Sequence, residues 1–198
     1  RFCGLHFFNP INETRLAEIA VHASTADRSV AIAAQLAKQL RKWLIVVGDG
    51  PGLVVNRLLM ALLNEAQVLL SEGWSVETID AAAESFGWRL GPFKILDVIG
   101  LRTALDAGGQ ISRDLPNSMS APPFLIPLLK AGRQGRLHGL GFFRYDEQGT
   151  AHSDPTVAEL IEVYRKPTRG PVSPTPHNLE LINQRLLAAM LVQAIAIL

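Results

Sequence analysis

The chain has 198 residues, of which 48% are hydrophobic, with 19 basic and 18 acidic side chains. This composition excludes disorder over the whole chain and suffices for one or two domains with a sizeable core. The balanced charge argues against a nucleic-acid surface, which needs a clustered basic excess. The single cysteine, Cys3, excludes an internal disulfide and favours a reducing compartment.

The first fifty residues have the pattern strand, strand, helix, strand. Short apolar runs at 5–8, 16–21 and 44–47 predict the strands, and the turn signal Asn9-Pro10 closes the first. Apolar residues at helical spacing over 25–40 predict the helix. This alternation is typical of the end of an α/β sheet domain.

Helical patterns dominate after the glycine-rich break at 48–52. The predicted helices lie at 55–70, 78–86 with Ser75 as its N-cap, 91–99, 101–111 and 123–129. A glycine-rich basic turn at 132–141 and a short edge segment at 142–145 follow. Residues 151–176 are predicted as a connecting segment that ends in a proline-rich linker.

The C-terminal residues partly repeat an earlier helix. Residues 185–194 match residues 57–66 at six of ten positions, including the arginine that begins each segment. Two apolar amphipathic helices can match this well by chance, but the match favours a second copy of the helical domain that begins at 177.

The two ends of the chain are apolar, as the interior of a secondary-structure element is, and there is no starting methionine. Because natural termini are mostly exposed and polar, we expect a piece of a longer protein. No signal-peptide pattern follows Arg1, and polar residues interrupt the apolar stretch 179–198, so we expect neither a leader nor a transmembrane segment.

Three residues could perform chemistry. His6 lies in an apolar strand, and histidine can take up and return a proton near neutral pH. Glu18, on the next predicted strand, could fix the imidazole tautomer and stabilise the imidazolium if the two strands pair. Asn56 begins the first long helix, where an amide can donate to a ligand oxygen and the helix dipole favours negative charge.

Each of these residues also has a structural interpretation. A lone histidine in an apolar strand is more often a core residue whose hydrogen bonds are satisfied. Glu18 could pair with Arg15 or Lys42, and Asn56 could be only a helix cap. The other histidines, His22, His152 and His177, show no metal-ligand spacing, so we expect no metal site.

Several motifs resemble the 3-hydroxyacyl-CoA dehydrogenase family. Residues 4–10, Gly-Leu-His-Phe-Phe-Asn-Pro, resemble its signature, and residues 16–19 resemble the next strand, which carries the glutamate partner of the histidine. Residues 50–58 resemble the start of its helical C-terminal domain. Further matches over residues 1–147 follow in the family's order: Gly91-Pro92-Phe93, Asp97, Gly100-Leu101 and 139–143.

The resemblance implies a role for each site residue. His6 would be the general base that takes the 3-hydroxyl proton while hydride passes from C3 to NAD, and Glu18 its electrostatic partner. Asn56 would contact the acyl-CoA substrate near its reacting oxygen, and Asn9 would lie beside the bound nicotinamide cofactor. The implied activity is oxidation of (3S)-3-hydroxyacyl-CoA to 3-oxoacyl-CoA in fatty-acid β-oxidation.

The sequence departs from the family at several points. His138 stands where a lysine usually precedes Gly-Phe, and Gln184 stands in the second copy where the first has Asn56. The family's Gly-x-Gly-x-x-Gly loop, ribose-binding acid and a substrate-site serine would lie upstream of Arg1. The run 48–52 is a poor phosphate loop because Leu53 replaces the third glycine. Arg133, Arg136 and His138 could meet coenzyme A phosphates, but a solvated turn is favoured.

The fold expected is α/β plus all-α. Residues 1–49 form the C-terminal part of an NAD-binding, Rossmann-like domain, 50–150 the helical dehydrogenase domain, 151–176 the connection and 177–198 the start of a second helical repeat. Tandem helical domains resemble multifunctional β-oxidation proteins, which implies an enoyl-CoA hydratase domain upstream and a thiolase β subunit as a candidate partner. We also expect a homo-oligomer, located in the cytoplasm of a bacterium, or in mitochondria or peroxisomes of a eukaryote.

Two other interpretations stay open. The chain could belong to a single-function 3-hydroxybutyryl-CoA or related hydroxy-acid dehydrogenase. It could also be only a helical dimerisation and substrate-lid module, inert when isolated. We expect the 198-residue piece to bind NAD weakly or not at all, because the dinucleotide loop is not part of it.

Overall fold

The chain forms two compact units. The structure, a computed structural model, describes residues 2–116, 123–165 and 179–198. One unit comprises residues 1–55 and the other residues 56–198. The first unit contains a small sheet and one helix, and the second is mainly helical. The change from an α/β to a helical pattern after 48–52 is therefore confirmed.

A three-stranded sheet forms the first unit, with the strands β1 (Gly4–Phe7), β2 (Leu16–Val21) and β3 (Trp43–Gly48). β2 is central; β1 pairs with it antiparallel and β3 parallel. Because parallel neighbours need a crossover, helix α1 (Asp27–Gln39) connects β2 to β3. The predicted strand, strand, helix, strand order is confirmed.

Burial in this unit is greatest on the central strand. Ala17, Glu18 and Ile19 of β2 are all inaccessible to solvent. Successive side chains of a strand point to opposite faces, so Glu18 lies on the face opposite to its two apolar neighbours. A buried carboxylate needs hydrogen-bonding partners, and these define the candidate site.

Seven helices and a short hairpin are described in the rest of the chain. The helices are α2 (Val55–Ser71), α3 (Val76–Phe86), α4 (Pro92–Ile99), α5 (Leu101–Asp114), α6 (Leu125–Lys130), α7 (Pro155–Tyr164) and α8 (Leu179–Ile197). The hairpin pairs β4 (Arg144–Tyr145) with β5 (Ala151–His152). The apolar face of α2 is buried in one core with side chains of α3 to α6 and with Trp74 and Phe142.

Capping residues define the helix boundaries. Ser75 accepts a hydrogen bond from the Thr78 amide at 3.1 Å and caps α3, as predicted. Pro92 occupies the first turn of α4, where its missing N–H costs nothing. Gly100, with φ of 91°, separates α4 from α5, a conformation that an L side chain rarely adopts.

Helix α7 lies within residues 151–176, which are predicted from the sequence as a connecting segment. Asp154 caps it by accepting from the Thr156 amide at 3.1 Å, and Pro155 follows at the first helical position. Val157 and Ile161 are buried. Part of the predicted connecting segment is therefore helical, at 155–164, while the predicted linker over 166–176 lies outside the described residues.

Helix α8 packs on the helical unit. Ile182 and Leu186 are fully buried in its core, and the Asn183 side-chain amide donates to the Ala82 carbonyl at 3.0 Å. By length and composition α8 would also qualify as a membrane span, the one such helix in the parts of the chain described. The core helix of a water-soluble protein meets the same criterion, so α8 is weak evidence for a membrane.

Candidate active site

His6 and Glu18 form a hydrogen-bonded pair within the first unit. The β1–β2 register places them directly opposite each other, and opposite residues of an antiparallel pair project from the same face. The imidazole Nδ1 lies 2.7 Å from Glu18 Oε2. The structure thus brings together the two residues whose pairing the sequence predicts.

Glu18 has a second set of partners in the backbone. Its Oε1 accepts hydrogen bonds from the amides of Val54 at 3.1 Å and Val55 at 3.0 Å. The carboxylate is completely buried, so these bonds replace the water that it loses. Both oxygens are therefore engaged, one by the imidazole and the other by the chain at 54–55.

The alternative partners proposed for Glu18 are occupied elsewhere. The Lys42 ammonium donates to the carbonyls of Ile11 and Thr14. The Arg15 guanidinium lies over the Trp43 ring, 5.7 Å from its centroid. A structural ion pair of Glu18 with Arg15 or Lys42 is therefore wrong.

The pair defines which imidazole nitrogen can act as a base. An ionised carboxylate only accepts hydrogen bonds, so with Glu18 ionised the hydrogen of this bond is carried by Nδ1 of His6. Nε2 is then the nitrogen with a free lone pair. The His6 side chain is 33% exposed, and Phe8 packs edge-on against its ring at 4.5 Å between centroids.

Asn9 lies in the exposed turn after β1. Its carbonyl accepts from the Thr14 hydroxyl at 3.5 Å, and the Pro10 carbonyl accepts from the amides of Glu13 and Thr14. Asn9 is three residues beyond His6 and is exposed to solvent. Its place beside the nicotinamide stays a prediction.

Asn56 belongs to the second unit, whereas the His6–Glu18 pair belongs to the first. It lies in the first turn of α2 and is half-buried. A location at a helix start was expected and is observed. That its amide faces the same cleft as His6 stays a prediction.

Several amides in and just after the glycine-rich run 48–52 already donate hydrogen bonds within the chain. The Gly50 amide donates to the Gly48 carbonyl, and the Leu53 amide to the Gly50 carbonyl at 2.9 Å. The next two amides, of Val54 and Val55, donate to Glu18. These amides donate hydrogen bonds within the chain and are not available to a phosphate, which agrees with the prediction that this run is a poor phosphate loop.

These contacts also bear on how NAD would fit. The described residues supply a proton acceptor, His6, and a nearby amide, Asn9. Among them, however, no glycine-rich turn between a strand and a helix keeps its amides free for a pyrophosphate. The described residues therefore show no cradle for a pyrophosphate, and the roles of His6 and Asn9 at the nicotinamide stay predictions.

Arg133 is not part of a solvated turn, contrary to the sequence-based interpretation of the basic cluster. It is only 5% exposed and donates to the Gly141 carbonyl and the Thr156 hydroxyl, both at 2.6 Å. It also forms an ion pair with Asp154. Arg133 thus fixes the glycine-rich turn to the start of α7 and is unavailable to coenzyme A phosphates.

Two buried carboxyls of the helical unit were not given a role by the sequence. Asp97 accepts from the amides of Phe142 at 2.7 Å and Phe143 at 3.0 Å, and from the Tyr145 hydroxyl at 2.9 Å. Burial outweighs these bonds and raises its pKa to about 6. Asp97 therefore holds the end of the glycine-rich turn in place.

Asp80 has an equivalent role at the start of α4. It accepts from the amides of Phe93 at 2.8 Å and Lys94 at 3.1 Å, and burial raises its pKa to about 7. Its partner lies 13 residues away in sequence, so no local pattern reveals the contact. Gly91 is a sequence signal of this close approach, because a Cβ at position 91 would overlap the Asp80 side chain.

A sheet unit that carries a hydrogen-bonded His–Glu pair precedes a helical unit, and comparison with known proteins identifies the family. The family model described as 3-hydroxyacyl-CoA dehydrogenase, NAD binding domain, matches residues 1–50. The model described as 3-hydroxyacyl-CoA dehydrogenase, C-terminal domain, matches residues 52–145. The chain therefore belongs to the 3-hydroxyacyl-CoA dehydrogenase family, and its cofactor is NAD.

Solved structures of this family resemble the chain. It is 34% identical to (S)-3-hydroxybutyryl-CoA dehydrogenase from Ralstonia eutropha, with a TM-score of 0.68 over 74% of this chain and 53% of that one. For 3-hydroxybutyryl-CoA dehydrogenase from Escherichia coli K12 the identity is 27%, the coverages are 72% and 31%, and the TM-score is 0.66. The chain thus spans about half the length, or less, of these relatives.

A third structure extends further along the chain. The dehydrogenase part of multifunctional enzyme 1 from C. elegans is 27% identical, with a TM-score of 0.64 over 93% of this chain and 41% of that one. The 7% left outside is about 14 of 198 residues, fewer than the 20 residues of 179–198. This match therefore includes at least part of the segment that contains α8.

Proposed function

We propose that the protein containing this chain oxidises (3S)-3-hydroxyacyl-CoA to 3-oxoacyl-CoA with NAD. Membership of the family supports this activity. The observation that carries it is the His6–Glu18 hydrogen bond of 2.7 Å, with the carboxylate fully buried and the imidazole partly exposed. A histidine held in this way can exchange a proton with a bound hydroxyl group.

In the proposed reaction, Nε2 of His6 takes the proton of the 3-hydroxyl group as the O–H bond breaks. NAD, when bound, supplies the acceptor for the hydride that leaves C3. The carbonyl forms from the electrons of the O–H bond, and the imidazole becomes an imidazolium. Glu18, already hydrogen-bonded to Nδ1, stabilises the charge that forms on the ring.

Asn56 and Asn9 complete the proposed site. The Asn56 amide would contact the substrate near its reacting oxygen, at a helix start that favours the developing negative charge. Asn9 would lie beside the nicotinamide, at the exposed turn after β1. Both assignments rest on the family resemblance and on the position of each residue in its element.

We favour a multifunctional β-oxidation protein as the parent. The C. elegans match, which extends beyond residue 179, and the resemblance between α2 and α8 support this choice. Such a protein would carry an enoyl-CoA hydratase domain upstream and take a thiolase β subunit as partner, with homo-oligomers as a further expectation. We propose the bacterial cytoplasm as its location, or mitochondria or peroxisomes in a eukaryote.

A second candidate is a single-function 3-hydroxybutyryl-CoA dehydrogenase. The R. eutropha and E. coli enzymes of that name, similar to 74% and 72% of this chain, favour it. The two candidates differ in substrate range and in the presence of hydratase activity. Both use the same His6–Glu18 pair, so the chemistry proposed for the site is common to them.

The test uses the complete protein, purified and supplied with NAD. We expect NADH absorbance to rise with (3S)-3-hydroxybutyryl-CoA or with a long-chain (3S)-3-hydroxyacyl-CoA, and not with the (3R) isomers. Hydration of an enoyl-CoA by the same preparation would favour the multifunctional parent. If neither (3S) substrate yields NADH, the proposed activity is wrong.

The 198-residue chain gives a second test. We expect weak NAD binding or none in a fluorescence titration, because the described residues offer no free amide cradle for a pyrophosphate. Tight binding would show that the 198-residue chain holds NAD by itself and would contradict this expectation. An inactive complete protein would favour the dimerisation and lid module instead.

A further inference from the structure

The His6 imidazole has two neighbours that meet it from different directions. Glu18 lies across the β1–β2 ladder and is hydrogen-bonded to Nδ1. Phe8 lies two residues further along the chain, just beyond the end of β1, and its ring centroid is 4.5 Å from that of the imidazole. Side chains at i and i+2 of an extended chain project from the same face, which explains how Phe8 reaches the ring.

The hydrogen bond to Glu18 does not by itself fix the plane of the imidazole. It restrains one atom, Nδ1, and the ring can still tilt about that atom, because the χ2 torsion of histidine has broad, roughly twofold minima. Such a tilt moves Nε2, which is the atom proposed to take the proton. A small displacement of a reacting atom can lower a rate strongly, so the proposed site needs a second restraint on the ring.

Contact with Phe8 supplies such a restraint. The two ring planes are inclined by 63°, an edge arrangement that aromatic pairs prefer, and at 4.5 Å between centroids the rings touch. A tilt of the imidazole towards Phe8 would make the rings overlap, and a tilt away would lose the contact. Phe8 is itself half-buried, and the His6 side chain stays 33% exposed, so Phe8 supports the ring without covering it.

We propose that Phe8 is a positioning residue: its ring holds the His6 imidazole in the plane in which Nε2 meets the 3-hydroxyl group of the substrate. Glu18 holds Nδ1 and Phe8 limits the tilt, so the two residues contribute separate restraints. This inference rests on the proposed dehydrogenase function and deepens it. Phe8 takes no proton itself and acts only through His6.

The nature of the contact defines which side chains can replace Phe8. Tyrosine keeps the flat, rigid ring and adds a hydroxyl group at its far end. Leucine lacks the ring, and methionine is unbranched and flexible. We therefore expect Phe8→Tyr to preserve the restraint, and both Phe8→Leu and Phe8→Met to weaken it.

Phe7 offers a matched control from the same strand. It pairs with Ala17 in the β1–β2 register and is half-buried, as Phe8 is. Successive side chains of a strand point to opposite faces, so Phe7 projects away from the face that carries His6 and Glu18. Phe7→Leu therefore removes a neighbouring aromatic ring while the contact between His6 and Phe8 is kept.

Steady-state kinetics of the complete protein form the first test, with NAD and whichever of the two (3S) substrates named above it oxidises. We expect Phe8→Leu and Phe8→Met to lower kcat about 10-fold and to change KM for both substrates less than about 2-fold, because the reacting geometry changes and the binding contacts do not. Phe8→Tyr and Phe7→Leu should keep kcat within about 3-fold of the parent. A residue that only fills space would lower stability without this division between kcat and KM.

Motion of the His6 ring in the 198-residue chain forms the second test and needs no activity. Carbon-13 NMR relaxation gives the order parameter of the His6 Cε1–H bond, which reports motion on the picosecond-to-nanosecond timescale. We expect a lower order parameter in Phe8→Leu and Phe8→Met than in the parent chain. Phe8→Tyr and Phe7→Leu should keep the parent value.

Unchanged kcat in Phe8→Leu and Phe8→Met would overturn the proposal, as would a fall in Phe8→Tyr as large as theirs. A raised KM with unchanged kcat would place Phe8 among the binding contacts and would also overturn it, as would equal order parameters in all the chains. If the complete protein has no dehydrogenase activity, the proposed function fails, and the order parameters still decide whether Phe8 restrains the ring.

Discussion

His6 and Glu18 lie opposite each other across the antiparallel β1–β2 ladder, with imidazole Nδ1 2.7 Å from the carboxylate. The ladder alone determines this proximity, because residues paired across an antiparallel sheet project from the same face. The pair leaves Nε2 as the nitrogen that can accept a proton. Its two members make different contributions, which substitution can separate.

Replacing His6 by alanine should mainly lower turnover. Loss of a general base typically costs 10²–10⁴-fold in rate, about 3–5 kcal/mol of barrier, while substrate binding changes little. The measurement is steady-state NADH formation by the complete protein, with kcat and KM compared. His22→Ala is the control, since His22 is an exposed histidine in the same unit. Unchanged turnover in the His6 variant would end the general-base assignment.

Glu18→Gln should lower turnover less than His6→Ala. Glutamine can still accept from the Val54 and Val55 amides through its carbonyl oxygen. Its NH2 group then faces Nδ1, so it gives no charge stabilisation to the imidazolium and favours the tautomer with hydrogen on Nε2. The two variants are compared in the same kcat assay. A loss as large as that caused by His6→Ala would mean that the amide holds the ring in the tautomer that cannot take a proton at Nε2. Unchanged turnover would contradict the partner role of Glu18.

Glu18→Ala should destabilise the first unit much more than Glu18→Gln does. Alanine leaves two backbone N–H groups near 54–55 without their acceptor, at a cost of about 1–3 kcal/mol. Urea unfolding of the 198-residue chain measures the difference between the two variants. Equal unfolding free energies would mean that water or another group replaces the Glu18 oxygen.

The free energy of unfolding should fall as the pH rises from about 5 to about 7. Burial raises the pKa of Asp80 to about 7 and that of Asp97 to about 6, both from 3.8, so the folded chain keeps protons that the unfolded chain has lost. The stabilisation is complete at lower pH and is lost as the pH rises through these values. Carboxyls with a lowered pKa, such as Asp154, change the free energy of unfolding only at pH values below about 5.

Urea unfolding at several pH values measures this dependence, with Asp80→Asn as the comparison. The asparagine variant lacks one titrating group, so its unfolding free energy should change less between about pH 5 and 7. A parent chain that becomes more stable over this range would contradict the assignment of a raised pKa to Asp80.

Two glycine substitutions should change stability in opposite directions. A Cβ at Gly141 would overlap the Asp97 carboxylate, so Gly141→Ala should cost about 1–3 kcal/mol. Gly108 lies inside α5 with open space around its Cβ position, so Gly108→Ala should stabilise by about 0.5–1 kcal/mol. Thermal unfolding of both variants gives the comparison. Equal midpoints would mean that the turn can move away from Asp97.

Local patterns predicted the strands, most helices and the Ser75 cap, because each depends on residues close in sequence. They also predicted that His6 and Glu18 lie on neighbouring strands. They missed α7, although Asp154-Pro155 is a recognisable start, because the proline-rich stretch that follows suggested a linker. Asp154 followed by proline is a local pattern that predicts a helix start, but the proline-rich composition of the following residues favoured a linker instead.

Contacts distant in sequence could not be predicted in this way. The glycine-rich and basic composition of 132–141 indicated a solvated turn, but Arg133 is buried by Asp154 and Thr156, 21 and 23 residues away. Asp97 similarly binds amides 45 and 46 residues later. For Glu18, the backbone donors at Val54 and Val55 also lie beyond the reach of a local pattern.

The double attachment of Glu18 has a consequence for what can replace it. One oxygen reaches the imidazole on β1, and the other reaches the amides of Val54 and Val55. Aspartate has the same charge but is one methylene shorter, so from the same backbone position it cannot span both sets of partners. Side-chain length is thus as strict a requirement as acidity at position 18.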